Sequence, residues 1–357
     1  MRLNILKRIT FITALCISAI VFTSCEKKVE VKTISEGENT IINVTYENYK
    51  GSDAELFLKE GDKIAVISPS ATPSRQQVDK TIEGLKALGY NPVEGKYAFA
   101  EVRTINNIIE DLIFALTDDS IKAIFCVRGG YGASDVMERI AMDLISRSKK
   151  IIIGYSDITV YHSAWTKSNI LSIHSSMSST FTDLPKECAL ATENILKGEI
   201  PIYHCKDNNS NTGSATGTLI GGNLSTFTSV LNTDFDATKI NKPYILFLED
   251  VGEDLEHIHR YLTILKHYGV LSNAKGIIFG EWVGLSEDLG DYLGKSRGGN
   301  YKSIVDMIKR EFTNDLNIPV AFNFPAGHGT TNYPLLMGKD LNIDVRNDEY
   351  ILRWITN

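Results

Sequence analysis

A serine, a carboxylate and a histidine each stand where an apolar run gives way to a loop, and together they have the residue types of a nucleophilic hydrolase. Ser156 lies in GYSDIT, directly after the apolar run KIIIGY (150–155) and before a helical pattern from about residue 158. A strand-to-helix elbow lifts a hydroxyl above the end of a sheet and leaves the next backbone N–H free to bond an oxyanion. The motif is not GxSxG, because Ile158 replaces the last glycine, so Ser156 has a second reading as the N-cap of the following helix. Arg128-Gly129-Gly130-Tyr131-Gly132 follows another apolar run. Glycines there let the backbone approach a ligand and turn N–H groups inward, completing an oxyanion hole with the N–H of Asp157; the alternatives are a tight turn or a phosphate loop. The GxGxxG spacing of a dinucleotide site is absent.

A serine nucleophile needs a base and a carboxylate to orient it. Glu249 and Asp250 end the run YILFLED (244–250), and His328 stands in PAGHGT, a loop of small residues from which an imidazole can reach across a cleft. Six other histidines compete. His257 and His259 are two apart on a helix and cannot share a face, and no HExxH occurs, which disfavours a zinc site; no cofactor is called for. His162 falls on the helix after the elbow, and His174 ends the run ILSIH.

The elements that must position these groups alternate. GDKIAVISPSA (61–71) reads as a buried strand ending in a turn, and 74–88 places Val78, Ile82, Leu85 and Leu88 at helical spacing. Residues 106–118 are helical, 121–127 a strand, 131–145 helical and 150–155 a strand. Continuous apolar strands separated by helices predict an α/β fold with a parallel sheet covered on both faces, and sites in such sheets form at the carboxyl ends of strands, here SPSA, RGGYG and YSD. Residues 59–185 form an N-terminal domain carrying the nucleophile. Residues 186–215, a short helix and the soft stretch HCKDNNSNTGSA, read as a linker, and 216–357 as a smaller α/β C-terminal domain with its own Gly-rich turn, GGNL (221–224).

Composition bounds the function. With 357 residues, 43% hydrophobic and 23% charged, the chain can bury a large core. Its net charge of −7, with no basic cluster, argues against a nucleic-acid partner. Residues 1–24 contain Arg2, Lys7 and Arg8 and no acid, so their removal takes the charge from −7 to −10. The apolar stretch Ile9 to Phe22 is too short for a bilayer span of about 20 residues but fits an export signal. Phe22-Thr23-Ser24-Cys25 resembles a bacterial lipobox, in which the cysteine is lipidated after cleavage. That places the protein in the bacterial cell envelope, anchored to a membrane through Cys25. Residues 25–58 are polar and read as a tether, with Ile42, Val44 and Tyr46 alternating as one added edge strand. Cys126, Cys188 and Cys205 show no disulfide spacing and read as structural.

The succession GDKIAVISPSA, RGGYG, IIGYSDIT, GGNLS, FLEDVGED and AGHG, from about Gly61 to the C-terminus, resembles the LD-carboxypeptidase family of serine peptidases, which includes murein tetrapeptide carboxypeptidases and the microcin C self-immunity hydrolase. The resemblance implies Ser156 as nucleophile, Glu249 and His328 as its triad partners, and an oxyanion hole from the N–H groups of Gly130 and Asp157. It also implies a two-domain fold with the site between the domains, a metal-free reaction on a murein peptide, and a homodimer. The family's His-Gly-Pro stands here as His174-Ser175-Ser176, and its Tyr and Asp after the acidic motif as Glu256 and His259, which bears on substrate choice. Two further readings share these residues: a resistance hydrolase for a peptide-nucleotide antibiotic of microcin C type, and a non-catalytic muropeptide-binding lipoprotein.

Overall fold

The computed structural model describes residues 28–32, 41–177, 184–207, 211–285 and 301–356; the export segment and Cys25 lie outside the described residues. In chain order the strands are β1 (Lys28–Lys32), β2 (Ile41–Asn48), β3 (Lys63–Ile67), β4 (Asn91–Glu94), β5 (Ile121–Cys126), β6 (Ile151–Gly154), β7 (Ser172–His174), β8 (Glu199–Lys206) and β9 (Gly213–Asn223). They continue as β10 (Tyr244–Val251), β11 (Gly276–Val283), β12 (Val320–Ala321), β13 (Leu335–Met337), β14 (Asp340–Val345) and β15 (Glu349–Trp354). The helices that matter for the site are α1 (Arg75–Ala87), α2 (Ile105–Thr117), α3 (Ala133–Met137), α4 (Met142–Ser148), α5 (Thr159–Lys167), α6 (Lys186–Leu196), α7 (Leu224–Ser229) and α8 (Leu255–His267).

The α/β expectation holds. One sheet has the order β13-β7-β6-β5-β3-β4, parallel except for β13. Its strands β3, β5 and β6 are buried almost without interruption, because helices cover both faces. Capping boxes at Ser74/Gln77 and Thr104/Asn107 start α1 and α2 as the polar residues ahead of each apolar pattern require. The other sheet has the order β1-β2-β8-β15-β14-β9-β10-β11-β12, parallel from β9 to β12 and antiparallel elsewhere.

Helix α5 joins the two sheets. Every residue from Thr159 to Thr166 is buried, the pattern of a helix packed on all sides. Thr159 Oγ1 accepts the Asn223 N–H of β9 at 2.9 Å, and a Cβ on Gly222 would overlap that hydroxyl. The GGN sequence, expected as a turn, is therefore the end of β9, and its glycine lets the second sheet approach α5.

Three segments are distributed differently from expectation. The 25–58 tether contains β1 and β2, and β2 is an internal strand between β1 and β8. The alternation of Ile42, Val44 and Tyr46 buries one face of it, which a solvated tether has no use for. The 186–215 linker is likewise structured: α6 is amphipathic, and β8 buries Ile200, Ile202, Tyr203 and Cys205. Finally, Leu335–Met337 of the C-terminal half pairs with β7, closing an edge of the sheet that leads into Ser156. The helix expected over 131–145 breaks into α3 and α4, because Arg139 and Ile140 make tight i−3 bonds and Ala141 is extended.

Candidate active site

The elbow is built from the end of β6. After Gly154 and Tyr155, Ser156 adopts φ +65° and opens a 3-10 turn, Ser156–Ile158, that runs into α5. A non-glycine residue in the left-handed region stores strain and concentrates at functional positions. Neither the 3-10 turn nor α5 has a side-chain N-cap, so the helix-capping reading of Ser156 fails. His162 holds the elbow from below: its Nε2 donates to Gly154 O at 2.9 Å and its Nδ1 accepts from Ser172 Oγ at 2.8 Å. Burial pushes its pKa down to about 4, so it serves as a neutral brace.

Two other strand ends converge on Ser156. A Cβ on Gly129 would lie 2.8 Å from Ser156 Cβ, 3.0 Å from its Oγ and 3.2 Å from the Asp157 nitrogen, so the RGGYG backbone lies directly against Ser156. Gly130 has φ +121° and packs on Ala71 of the SPSA turn. The Asp157 carboxylate ties the three turns together, accepting Ser70 Oγ–H at 2.5 Å and the Ala133 N–H at 3.0 Å. Burial raises its pKa, although both bonds favour the ionised form. The sequence reading used only the N–H of Asp157; its side chain and Ser70 were missed, though an Asp after an elbow serine and a Ser-Pro-Ser turn after a parallel strand were both visible.

The second sheet supplies the other two groups. Glu249, at the end of β10, is 0% exposed, and its Oε2 lies 2.7 Å from His328 Nδ1. His328 sits on the segment that leaves β12 of one sheet and enters β13 of the other, which carries it across the junction. Its ring packs on Tyr155, the residue before the elbow serine, at a centroid distance of 4.7 Å. Burial works to lower the His328 pKa, but the charges of Glu249, Asp250 and Glu281 outweigh it and the net direction is up. Burial raises the Glu249 pKa against the pull of His328. Asp250, the other candidate carboxylate, is occupied: it accepts the Asn223 side-chain amide and the Ser225 N–H, both at 2.8 Å.

The remaining candidates lie apart. His174 is buried among Tyr155, His162 and Phe247, and burial holds its pKa well below the ordinary value. His259 packs on Phe312 from α8, and His257 lies 3.1 Å from Glu253. Cys126, Cys188 and Cys205 are buried and unbridged. Among the described residues no cluster of three or more His, Cys, Asp or Glu is arranged to hold a metal ion. A cavity of about 260 Å³ lined by Lys167, Lys239 and Lys242 opens at the far end of α5 from Ser156 and takes no part in the site. One neighbour of His328 was missed, Glu281 at the end of β11. The signal was present, since an acid closes the apolar run GIIFGEW much as Glu249 closes YILFLED.

Residues 64–175 match the LD-carboxypeptidase N-terminal domain, and residues 216–343 match the LD-carboxypeptidase C-terminal domain. The chain belongs to the LD-carboxypeptidase family. It is an enzyme of the serine carboxypeptidase type. A protein of Synechocystis sp. named as a carboxypeptidase is 30% identical over 308 residues, 81% of this chain and 93% of the relative. The murein tetrapeptide carboxypeptidase of Pseudomonas aeruginosa is 26% identical over 313 residues, 82% of this chain and 95% of the relative. Among solved structures, the microcin C7 self-immunity protein in complex with aspartyl sulfamoyl adenosine has the same fold, with a TM-score of 0.70 at 23% identity over 83% of this chain and 97% of that one.

Proposed function

We propose that this LD-carboxypeptidase removes the terminal D-alanine from murein tetrapeptides, hydrolysing the amide between an L-centre and a C-terminal D-amino acid. The observation that carries the reading is the His328–Glu249 pair, held on Tyr155 beside a serine in the left-handed conformation. In this reading Ser156 Oγ attacks the carbonyl carbon as His328 takes its proton. The N–H groups of Gly130 and Asp157 bond the oxyanion, a contribution for which losing one donor typically costs about 100- to 1,000-fold in rate. His328 then protonates the departing amine, free D-alanine leaves, and a water deprotonated by His328 hydrolyses the Ser156 ester. Glu249 orients the imidazole and stabilises its cation.

The rim favours a peptide over a nucleotide conjugate. Glu253 and Asp254 follow the end of β10, and among the described residues His257 lies against both. That negative edge suits the free amine of a diaminopimelate side chain and repels a phosphate or sulfamate.

The test is release of D-alanine from L-Ala-D-Glu-diaminopimelate-D-Ala by the purified protein, with Ser156→Ala beside it and an aminoacyl-nucleotide conjugate as competing substrate. Undiminished release by Ser156→Ala overturns the nucleophile assignment, and faster turnover of the conjugate overturns the substrate. A fluorophosphonate that labels the wild type and not Ser156→Ala excludes a mere muropeptide binder. For location, we propose export and lipidation at Cys25; a lipid-analogue label absent from Cys25→Ser supports it, and equal labelling of both overturns it.

A further inference from the structure

His328 stands between two glycines, and each opens the loop to a carboxylate. A Cβ on Gly327 would lie 2.9 Å from Glu249 Oε2, and one on Gly329 would overlap Glu281 Oε2. Glu281 belongs to β11, the strand next to β10 in the sheet. Its backbone N–H donates to Ala326 O at 3.1 Å, its Oε2 accepts the Gly329 N–H at 2.8 Å, and its Oε1 accepts the Thr331 hydroxyl at 3.0 Å. With Phe324 N–H on Phe279 O at 3.0 Å, β11 holds the 324–331 crossing at four points, three of them through Glu281.

Resting on the reading of His328 as general base, we infer that Glu281 is a positioning residue that fixes the His328 loop through both carboxylate oxygens and adds a second negative charge to the field at the imidazole. A neutral residue of similar shape, with one acceptor oxygen in place of two, supplies the first of these roles only in part and the second not at all. The titratable groups that face Glu281 are Glu249 from β10, His328 from the loop and Cys188 from α6. Burial pushes the Glu281 carboxyl up to about 7; the Thr331 and Gly329 bonds pull it down, Glu249 pushes it up and His328 pulls it down. Ionised, Glu281 accepts both loop bonds and raises the His328 pKa. Protonated, one oxygen carries a hydrogen and accepts more weakly from its donor, and the charge at His328 is lost.

The experiment is the pH dependence of kcat and KM for D-alanine release by the full chain, comparing wild type, Glu281→Gln and Glu281→Asp, with circular dichroism to establish folding and with Ser156→Ala and His328→Ala as reference variants. In Glu281→Gln, KM stays within about twofold and kcat falls about 3- to 10-fold, because the loop is held less well. The acid limb of kcat/KM moves down by about half a unit to one unit, since losing a negative charge lowers the His328 pKa. Glu281→Asp keeps the charge with a shorter reach, so its acid limb stays near wild type while kcat falls. An acid limb unmoved in Glu281→Gln overturns the inference and leaves Glu281 as packing. Activity retained by Ser156→Ala or His328→Ala overturns the triad reading itself, whatever Glu281 does.

Discussion

Nδ1 of His328 lies 2.7 Å from Oε2 of Glu249, whose side chain shows no surface to solvent. A buried carboxylate at that nitrogen keeps the proton on Nδ1 and leaves Nε2 as the acceptor that a serine base requires. It also offsets burial, which alone would lower the imidazole pKa. Glu249→Gln keeps the volume but turns an amide toward the ring, which favours the opposite tautomer. We expect kcat to fall about 1,000- to 10,000-fold with KM little changed, measured as D-alanine release. A loss below tenfold removes Glu249 from the catalytic set.

The φ of +65° at Ser156 sets stability against function. The left-handed conformation costs a non-glycine residue about 1–2 kcal/mol, and glycine adopts it freely at an unfolded-chain entropy cost of about 0.5–1 kcal/mol. Both Ser156→Ala and Ser156→Gly remove the hydroxyl, and with it the nucleophile of the proposed mechanism. Only the glycine variant relieves the strain, so it should exceed the alanine variant by about 0.5–1 kcal/mol in urea unfolding. Equal stabilities contradict a strained elbow.

The groups of the candidate site were legible where an apolar strand run leads to them: Ser156 after KIIIGY, Glu249 at the end of YILFLED, and the RGGYG glycines after IKAIFCV. Parallel strands collect such residues at one sheet edge, so local pattern was enough to gather them. What local pattern does not carry is pairing between distant segments. The alternation of Ile42, Val44 and Tyr46 showed a strand but not that β1 and β8 flank it on both sides, and Leu335–Met337 gave no sign of crossing to β7. Glu281 was overlooked for the same reason: its partners Gly329 and Thr331 are 48 and 50 residues away, brought close only by the loop between β12 and β13.

Gly129 leaves the space beside Ser156 open. A methyl there would come 2.8 Å from Ser156 Cβ and 3.2 Å from the Asp157 nitrogen, where the proposed mechanism forms its tetrahedral intermediate. Gly129→Ala, with circular dichroism to establish folding, should therefore lose about 100-fold or more in kcat/KM, the scale of losing one oxyanion donor. Fluorophosphonate labelling of Ser156 should slow in parallel. Wild-type labelling and turnover would show that the RGGYG turn lies outside the reaction path.

Glu281 also couples folding to pH. Its carboxyl is pushed up to about 7 in the folded protein from an ordinary value of 4.5, with burial as the largest cause. Below 4.5 the group is protonated in both states and its contribution to stability is fully present. Between 4.5 and about 7 the unfolded chain releases the proton while the folded chain keeps it, so unfolding is favoured progressively as pH rises, and above about 7 the contribution is gone. The raised pKa of His328 acts with the same sign, so wild-type stability alone does not isolate Glu281. The difference between wild type and Glu281→Gln carries the contribution of Glu281 and the part of the His328 shift that Glu281 causes, both of one sign: wild type should lose stability relative to the variant as pH goes from 5 to 8, read as the melting temperature or urea midpoint at each pH. Curves that run parallel across that range would mean the carboxyl titrates normally in the folded protein, and its burial beside Gly329 and Thr331 would then have no consequence for its charge.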